Sequence, residues 1–157
     1  MNKNGKNMQT QKDVEEIARI VVDCAYRLHV DIGPGLLESV YEVVLAKMLE
    51  TRGLRVRRQV PVPIQVMGMT FDEGFRADLV VEDSLVVELK SVGEFARVHA
   101  KQLLTHLRLM HLPLGLLINF GTATFKEGVR RIVNDHRNIG SSSLRIHLHT
   151  PSEGNGT

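Results

Sequence analysis

Residues 76 to 90 read RADLVVEDSLVVELK and hold the side chains best placed to do chemistry. Nine residues separate Asp78 from Glu88, and Lys90 follows two positions later. Two apolar, β-branched runs, Ala77 to Val81 and Leu85 to Leu89, flank the polar break Glu82-Asp83-Ser84, which is the pattern of a β-hairpin. Side chains alternate along a strand, so Glu88 and Lys90 share a face. A three-residue loop sets Asp78 opposite Glu88 on that face. Two carboxylates this close are costly unless something offsets them, and a divalent cation would do so. Hard cations such as magnesium take oxygen ligands, and both carboxylates with a backbone carbonyl such as that of Leu89 could hold one. Such an ion lowers the pKa of a bound water and neutralises charge developing on a phosphate. Lys90 beside it could orient the nucleophile or stabilise the transition state. The same spacing also suits an ordinary cross-strand Glu–Lys pair on a solvated strand. Three charges in apolar surroundings argue for the site.

The elements that must carry these residues can be read from periodicity. Val14, Ile17, Val21, Cys24, Ala25 and Leu28 fall at helical spacing from Asp13 to His29, with Asp13 as N-cap and Glu16 three residues on. Gly33-Pro34-Gly35 stops that helix. A second helix is predicted over 36–52, burying Leu37, Val40, Val44 and Met48 and ending at Gly53. Leu54 to Val66 reads as a strand in which Pro61 and Pro63 imply a sheet edge or a bulge. Met67-Gly68-Met69 reads as a turn. A third helix is predicted from Arg97 to His111, then a buried strand from Leu114 to Phe120, a short fourth helix over 124–133, and a half-exposed last strand from Leu144 to His149. The 157 residues suit one domain, 1–157, with its core at about 13–149 and flexible tails at 1–11 and 150–157. The class is α/β or α+β, with helices on the sheet faces.

Two further constellations stand out. Glu38 lies in the first turn of the second helix, where a carboxylate suits the helix dipole. Tyr41, three residues on, shares its face. A core-rim tyrosine after a helix-start glutamate is the plain reading; a third acid supporting a metal is the functional one. On the third helix Arg97, Lys101 and Arg108 project within about 40° of one another, a basic stripe suited to phosphates, while His99, Gln102 and His106 gather within about 60° on another side. Arg55, Arg57 and Arg58 form a second basic cluster.

Composition narrows the classes. Hydrophobic residues make up 43%, too many for a disordered chain. No apolar run approaches a bilayer span, and the polar N-terminus lacks the apolar core of a signal peptide, so a cytoplasmic protein without a membrane partner is expected. One cysteine, Cys24, excludes an internal disulfide and a thiolate zinc cluster. The seven histidines include the pairs His99/His106 and His147/His149, neither with the three-ligand spacing of a zinc site. A net charge of +2 does not by itself announce a nucleic-acid binder, and with 4% aromatics and no tryptophan, base stacking on single strands is poorly served.

The G-x-x-E-x-x-Y of Gly35, Glu38 and Tyr41 resembles the signature of the GxxExxY proteins, a family within the PD-(D/E)XK nuclease superfamily of restriction-endonuclease-like fold. The resemblance runs from about Val14 to Asn134. It includes Arg76-Ala77-Asp78, the V-E-L-K of Val87 to Lys90, the A-K-Q-L-L of Ala100 to Leu104 and the L-I-N-F of Leu117 to Phe120. It implies a central mixed sheet of about four strands flanked by helices. It implies that Asp78 and Glu88 are metal ligands, that Lys90 is the catalytic lysine, that Glu38 is the first-helix acid and that Gln102 is the glutamine of the helix after the lysine strand. Ala77 departs from the family's usual proline. His106 stands where that branch often carries a tyrosine. The expectation is a nuclease dependent on Mg2+, or on Mn2+ as a substitute, and acting on DNA more readily than RNA, with Glu38, Asp78 and Glu88 holding the cation, and Arg97, Lys101, Arg108, Arg55, Arg57 and Arg58 holding the nucleic-acid backbone. The alternative is a non-catalytic module that keeps the fold and binds nucleic acid or protein. A chain this small would suit a homodimer or a partner protein.

Overall fold

The computed structural model describes residues 12–135. Two helices come first, α1 (Val14–Ile32) and α2 (Glu38–Thr51), then strands β1 (Val56–Val66), β2 (Met69–Val81) and β3 (Leu85–Lys90). Helix α3 (Arg97–Met110), strand β4 (Leu114–Asn119), a 3-10 turn (Lys126–Gly128) and strand β5 (Val129–Val133) complete the described part. The strands form one sheet in the order β1-β2-β3-β4-β5. Neighbours are antiparallel except β3 and β4, which run parallel and are joined through α3. A parallel pair needs such a crossover, and here the helix supplies it.

Helices cover both faces. Leu85, Val87 and Leu89 of β3 and Leu114, Leu116 and Ile118 of β4 pack with α1 and α2. The alternate residues Val86 and Leu117 pack with Leu103 and Leu107 of α3. β4 is buried along its whole length, as a strand covered on both sides must be. β1 is an edge strand with a register shift between Val62 and Ile64, where Pro61 and Pro63 predict one. Met67 and Gly68 both have positive φ (50° and 76°), as a tight hairpin turn requires. Helix α1 runs three residues past His29, and Asp13 takes the N-cap position without making a side-chain capping bond.

The mixed sheet flanked by helices agrees with the expected architecture, with five strands where about four were expected. Two expectations are corrected. The fifth strand, β5, occupies much of the predicted fourth helix: its Val129, Ile132 and Val133 are β-branched, and it pairs along β4. The buried stripe of α2 is also turned. Tyr41, Glu42, Leu45, Ala46 and Leu49 are buried, whereas Leu37, Val40 and Val44 are exposed. The Tyr41 hydroxyl donates to the Gly33 carbonyl (2.5 Å) and accepts from the Leu36 N–H (3.2 Å), and its ring stacks on Phe120 with centroids 4.4 Å apart. Those contacts pull the 41/45/49 ridge inward, in a helix apolar enough on every side that apolarity alone does not phase it. The predicted strand from Leu144 to His149 and both tails lie outside the described residues.

The phase of α2 is open to a direct check by urea unfolding. Leu45→Ala should cost about 2–5 kcal/mol and Val44→Ala no more than about 0.5 kcal/mol. Equal losses at the two positions would refute the observed phase.

Candidate active site

The β2–β3 ladder runs from Val81↔Leu85 to Leu79↔Val87 and stops there. At the next step the Leu89 N–H is taken by the side chain of Asp78, at 2.8 Å from Oδ2. In an antiparallel pair, one residue's N–H and C=O point to the same neighbour, so the Leu89 carbonyl also faces β2, in the gap where the strands part. The Lys90 carbonyl points the other way and accepts the Phe120 N–H at 2.8 Å. A second irregularity lies alongside. Val56, Leu79 and Val81 pack with α1 and α2, but Val60, Ala77 and Val80 pack toward α3. Positions 56 and 60 would share a face in a regular strand, so β1 changes face between them, at Gln59, whose φ is +48°. The β1–β2 ladder pairs Arg58 with Leu79 and Val60 with Ala77, and passes over Gln59 and Asp78 between them.

Glu88 and Lys90 alternate with Leu89 and therefore stand on the α3 face. The Glu88 side chain is 13% exposed. Its Oε1 lies 3.4 Å from Nδ1 of His106, yet both atoms are buried without a hydrogen-bond partner among the described residues, so the two are close but misaligned. His106 is held flat against Phe75, with ring centroids 3.8 Å apart and planes 7° apart. Burial, and then the facing Glu88 carboxylate, push Asp78 up to about 6, while the Leu89 N–H and the Lys90 ammonium pull the other way.

These observations fit a hard divalent cation. A partly buried acid whose charge is opposed by its neighbour, and a buried oxygen of that neighbour with no partner among the described residues, are what a cation would relieve. Asp78, Glu88 and the Leu89 carbonyl could hold it. Among the described residues, no three His, Cys, Asp or Glu side chains gather closely enough to form a metal group. Glu38 is thus not brought together with the pair. Its Oε1 accepts the Ser91 N–H at 3.3 Å, just beyond the end of β3, and the Ser91 hydroxyl donates to the Leu36 carbonyl at 2.8 Å. The turn before Glu38 contains Gly35 at φ +121°, a conformation that favours glycine. On the other side Asn119, fully buried at the end of β4, accepts the Val92 and Gly121 N–H groups and donates to the Val92 carbonyl. The exit of β3 is therefore fixed from α2 and from β4 at once.

The remaining predicted residues divide. Gln102 is exposed on α3, one turn before His106, and its side chain makes no hydrogen bond among the described residues. Arg97, Lys101 and Arg108 are exposed on the same helix and enter no ion pair among the described residues. The arginines of β1 are engaged within the chain. Arg55 grips Glu82 through Nε and Nη2, Arg57 pairs with Asp83 at 2.7 Å, and Arg58 pairs with buried Glu42 at 3.0 Å. Glu42 and Gln59 are site residues that the sequence does not announce. Gln59 Nε2 donates to Glu42 Oε2 at 2.6 Å and to Asp78 Oδ1 at 3.5 Å. The helical spacing of Glu42 from Glu38 could have drawn notice to it; nothing in the sequence marks Gln59. A cleft of about 520 Å³ between α1 and β4, rimmed by Glu15, Tyr26, Phe125 and Arg131, contains none of these residues.

The family model of the PD-(D/E)XK nuclease superfamily matches residues 15–132, which include every candidate site residue placed above. Nucleases of that superfamily generally depend on a divalent metal. The mixed α/β architecture agrees with a restriction-endonuclease-like fold. No curated protein and no solved structure matches the chain. No described helix is long and apolar enough to cross a membrane.

The raised Asp78 has a consequence for stability. With a folded pKa of about 6 against an ordinary 3.8, the folded state binds more protons between those values, so stability falls as pH rises through that window and stays lower above it. Asp78→Asn, measured without divalent metal by urea unfolding, should stabilise the protein at pH 7 by about 1–2 kcal/mol after allowance for partial solvent access. The gain should vanish near pH 4. A gain of equal size at both pH values would contradict the assignment.

Proposed function

The chain belongs to the PD-(D/E)XK nuclease superfamily, and from that premise we propose that it is an active nuclease which hydrolyses phosphodiester bonds in DNA with Mg2+ as its metal. The observation that carries this reading is the partly buried Asp78–Glu88 pair at the parting of β2 and β3, with Lys90 on the same face. All three side-chain types the chemistry needs are present where the strands part. Asp78, Glu88 and the Leu89 carbonyl would hold the cation. When bound, it supplies a water of lowered pKa and neutralises charge developing on the phosphate.

The chain's own residues do the rest. Water adds to phosphorus, the ester P–O bond breaks, and the leaving alcohol takes up a proton. Lys90 orients the attacking water and offers its positive charge to the phosphoryl oxygens. Glu38 acts on the site through Ser91, fixing the end of the strand that carries Lys90. Gln102 and His106 line the α3 side of the approach. Arg97, Lys101 and Arg108, unengaged within the described chain, neutralise the phosphates flanking the scissile one. The geometry at Gly35, Glu38 and Tyr41 supports placing the chain in the GxxExxY branch: Tyr41 clamps the turn that Gly35 allows, and Glu38 reaches Ser91 from it. A cytoplasmic setting, where nucleic acid is at hand, is part of this proposal.

The test is cleavage of single-stranded, duplex and branched DNA, and of RNA, with and without Mg2+ or Mn2+. DNA should be cut only with the metal. Asp78→Ala, Glu88→Ala and Lys90→Ala should each lower the rate by about 10²-fold or more. Undiminished cleavage by the acid variants would sink the reading. Salt-sensitive binding without cleavage under either metal would instead establish a binding module on a nuclease fold. In either case, replacing Arg97, Lys101 and Arg108 together should flatten the dependence of log K on log salt, by about 0.9 for each phosphate no longer neutralised.

A further inference from the structure

Gln59 is an exposed residue on an edge strand, yet it adopts the left-handed backbone conformation, with φ +48°. Glutamine gains nothing there on its own account, and the conformation is uncommon outside Gly, Asn and Asp. What it secures is the aim of the side chain. The Nε2 amino group has two hydrogens and faces two carboxylates: Glu42 Oε2 at 2.6 Å and Asp78 Oδ1 at 3.5 Å. The orientation of the amide is set by charge, because its oxygen turned toward two carboxylates would be repelled by both.

The far end of this chain of contacts is rigid. Glu42 is 5% exposed, sits on α2 among core residues, and has its other oxygen tied to Arg58 Nε at 3.0 Å. A buried carboxylate gripped from two sides is a fixed post. From that post, Gln59 reaches one oxygen of Asp78 while the Leu89 N–H holds the other at 2.8 Å. Two donors, one on each oxygen, define the plane of the carboxylate.

We propose that Gln59, anchored by Glu42, is a positioning residue that fixes the Asp78 carboxylate for divalent-metal binding. This rests on the reading of Asp78 and Glu88 as metal ligands. It goes beyond that reading by naming what orients the ligand. Groups that hydrogen-bond to metal ligands tune affinity by about 10- to 100-fold. Gln59 itself touches neither the metal nor the substrate, so its effect should appear in metal affinity and not in the rate at metal saturation.

Mn2+ is the probe, because free ion can be counted by electron paramagnetic resonance without substrate. Two variants suit the backbone: Gln59→Gly, which accepts a positive φ without strain, and Gln59→Asn, which tolerates it but is one methylene too short to span both acids. Both should fold as the parent does, by circular dichroism and thermal melting, and both should bind Mn2+ about 10- to 100-fold more weakly. The Mn2+ concentration for half-maximal cleavage should rise in step, and kcat at saturating Mn2+ should return to within about 3-fold of the parent. Mn2+ affinity within about 2-fold of the parent in either folded variant would overturn the proposal. So would collapse of both variants, which would assign Gln59 to the fold. A parent that binds no Mn2+ would overturn the metal reading itself, so the two failures are distinguishable.

Discussion

The bond from the Leu89 N–H to the Asp78 carboxylate holds fold and site together. β3 is buried on both faces, and a buried backbone N–H without a partner costs about as much as a missing hydrogen bond. Once β2 and β3 part after Leu79↔Val87, Leu89 has no backbone partner of the kind a continued ladder would give. Asp78 restores it with a side chain. The substitution lets the sheet open without orphaning a donor, and it places a carboxylate in the opening. The cost is electrostatic, because Glu88 stands across the gap and burial already disfavours the charge. A geometry that is awkward for an empty fold is suited to a cation.

The positions of Glu88 and Lys90 depend on how firmly the end of β3 is held. Three tethers meet there. Asn119 binds the backbone of Val92 on both its amide and carbonyl sides, Ser91 is bonded to Leu36 and Glu38, and Tyr41 clamps the turn from Gly33 to Leu36. Gly121 lies so close to the Val92 backbone that a side chain at 121 would collide with it. The parallel strands β3 and β4 both end here, the end of an α/β sheet at which ligands ordinarily bind. Lys90, the last residue of β3, is thus mounted on a strand terminus braced from α2 and β4.

Much of this was legible in the sequence. The hairpin predicted from Ala77 to Leu89 depends on local alternation and a three-residue polar break, and it pairs in that register from Leu79 to Val87. The two prolines of β1 mark its edge and its bulge through their missing donors. What failed was decided by distant contacts. The phase of α2 follows from Tyr41 meeting Phe120 and Gly33. β5 follows from pairing with β4, which no local preference reports. Gln59 was hidden for a sharper reason. Counting back from the Met67-Gly68 turn in plain register sets Arg57 opposite Asp78, and the irregularity between Val62 and Ile64 moves that partner by two residues. A bulge whose size the sequence does not state thus decides which side chain meets the acid.

The same long-range pairing settles which cations are available. A net charge of +2 spread over the chain looks unpromising, and two basic clusters compete for attention. The hairpin loop acids Glu82 and Asp83 take up Arg55 and Arg57, and buried Glu42 takes Arg58, so the β1 cluster is largely spent on holding its own sheet. The α3 cluster is not. Measured round the helix from buried Leu103, His106 lies about 60° away, Gln102 about 100°, and Lys101, Arg108 and Arg97 about 200–240°. Moving outward from the sheet, one therefore meets the Glu88–His106 contact, then an amide, then three cations that pair with no acid among the described residues. A polyanion resting on α3 would find its charge neutralised at the outer face and its polar edge met by Gln102. The mutually opposed carboxylates would lie at the inner end, the one place on that path where a phosphate needs a metal to approach.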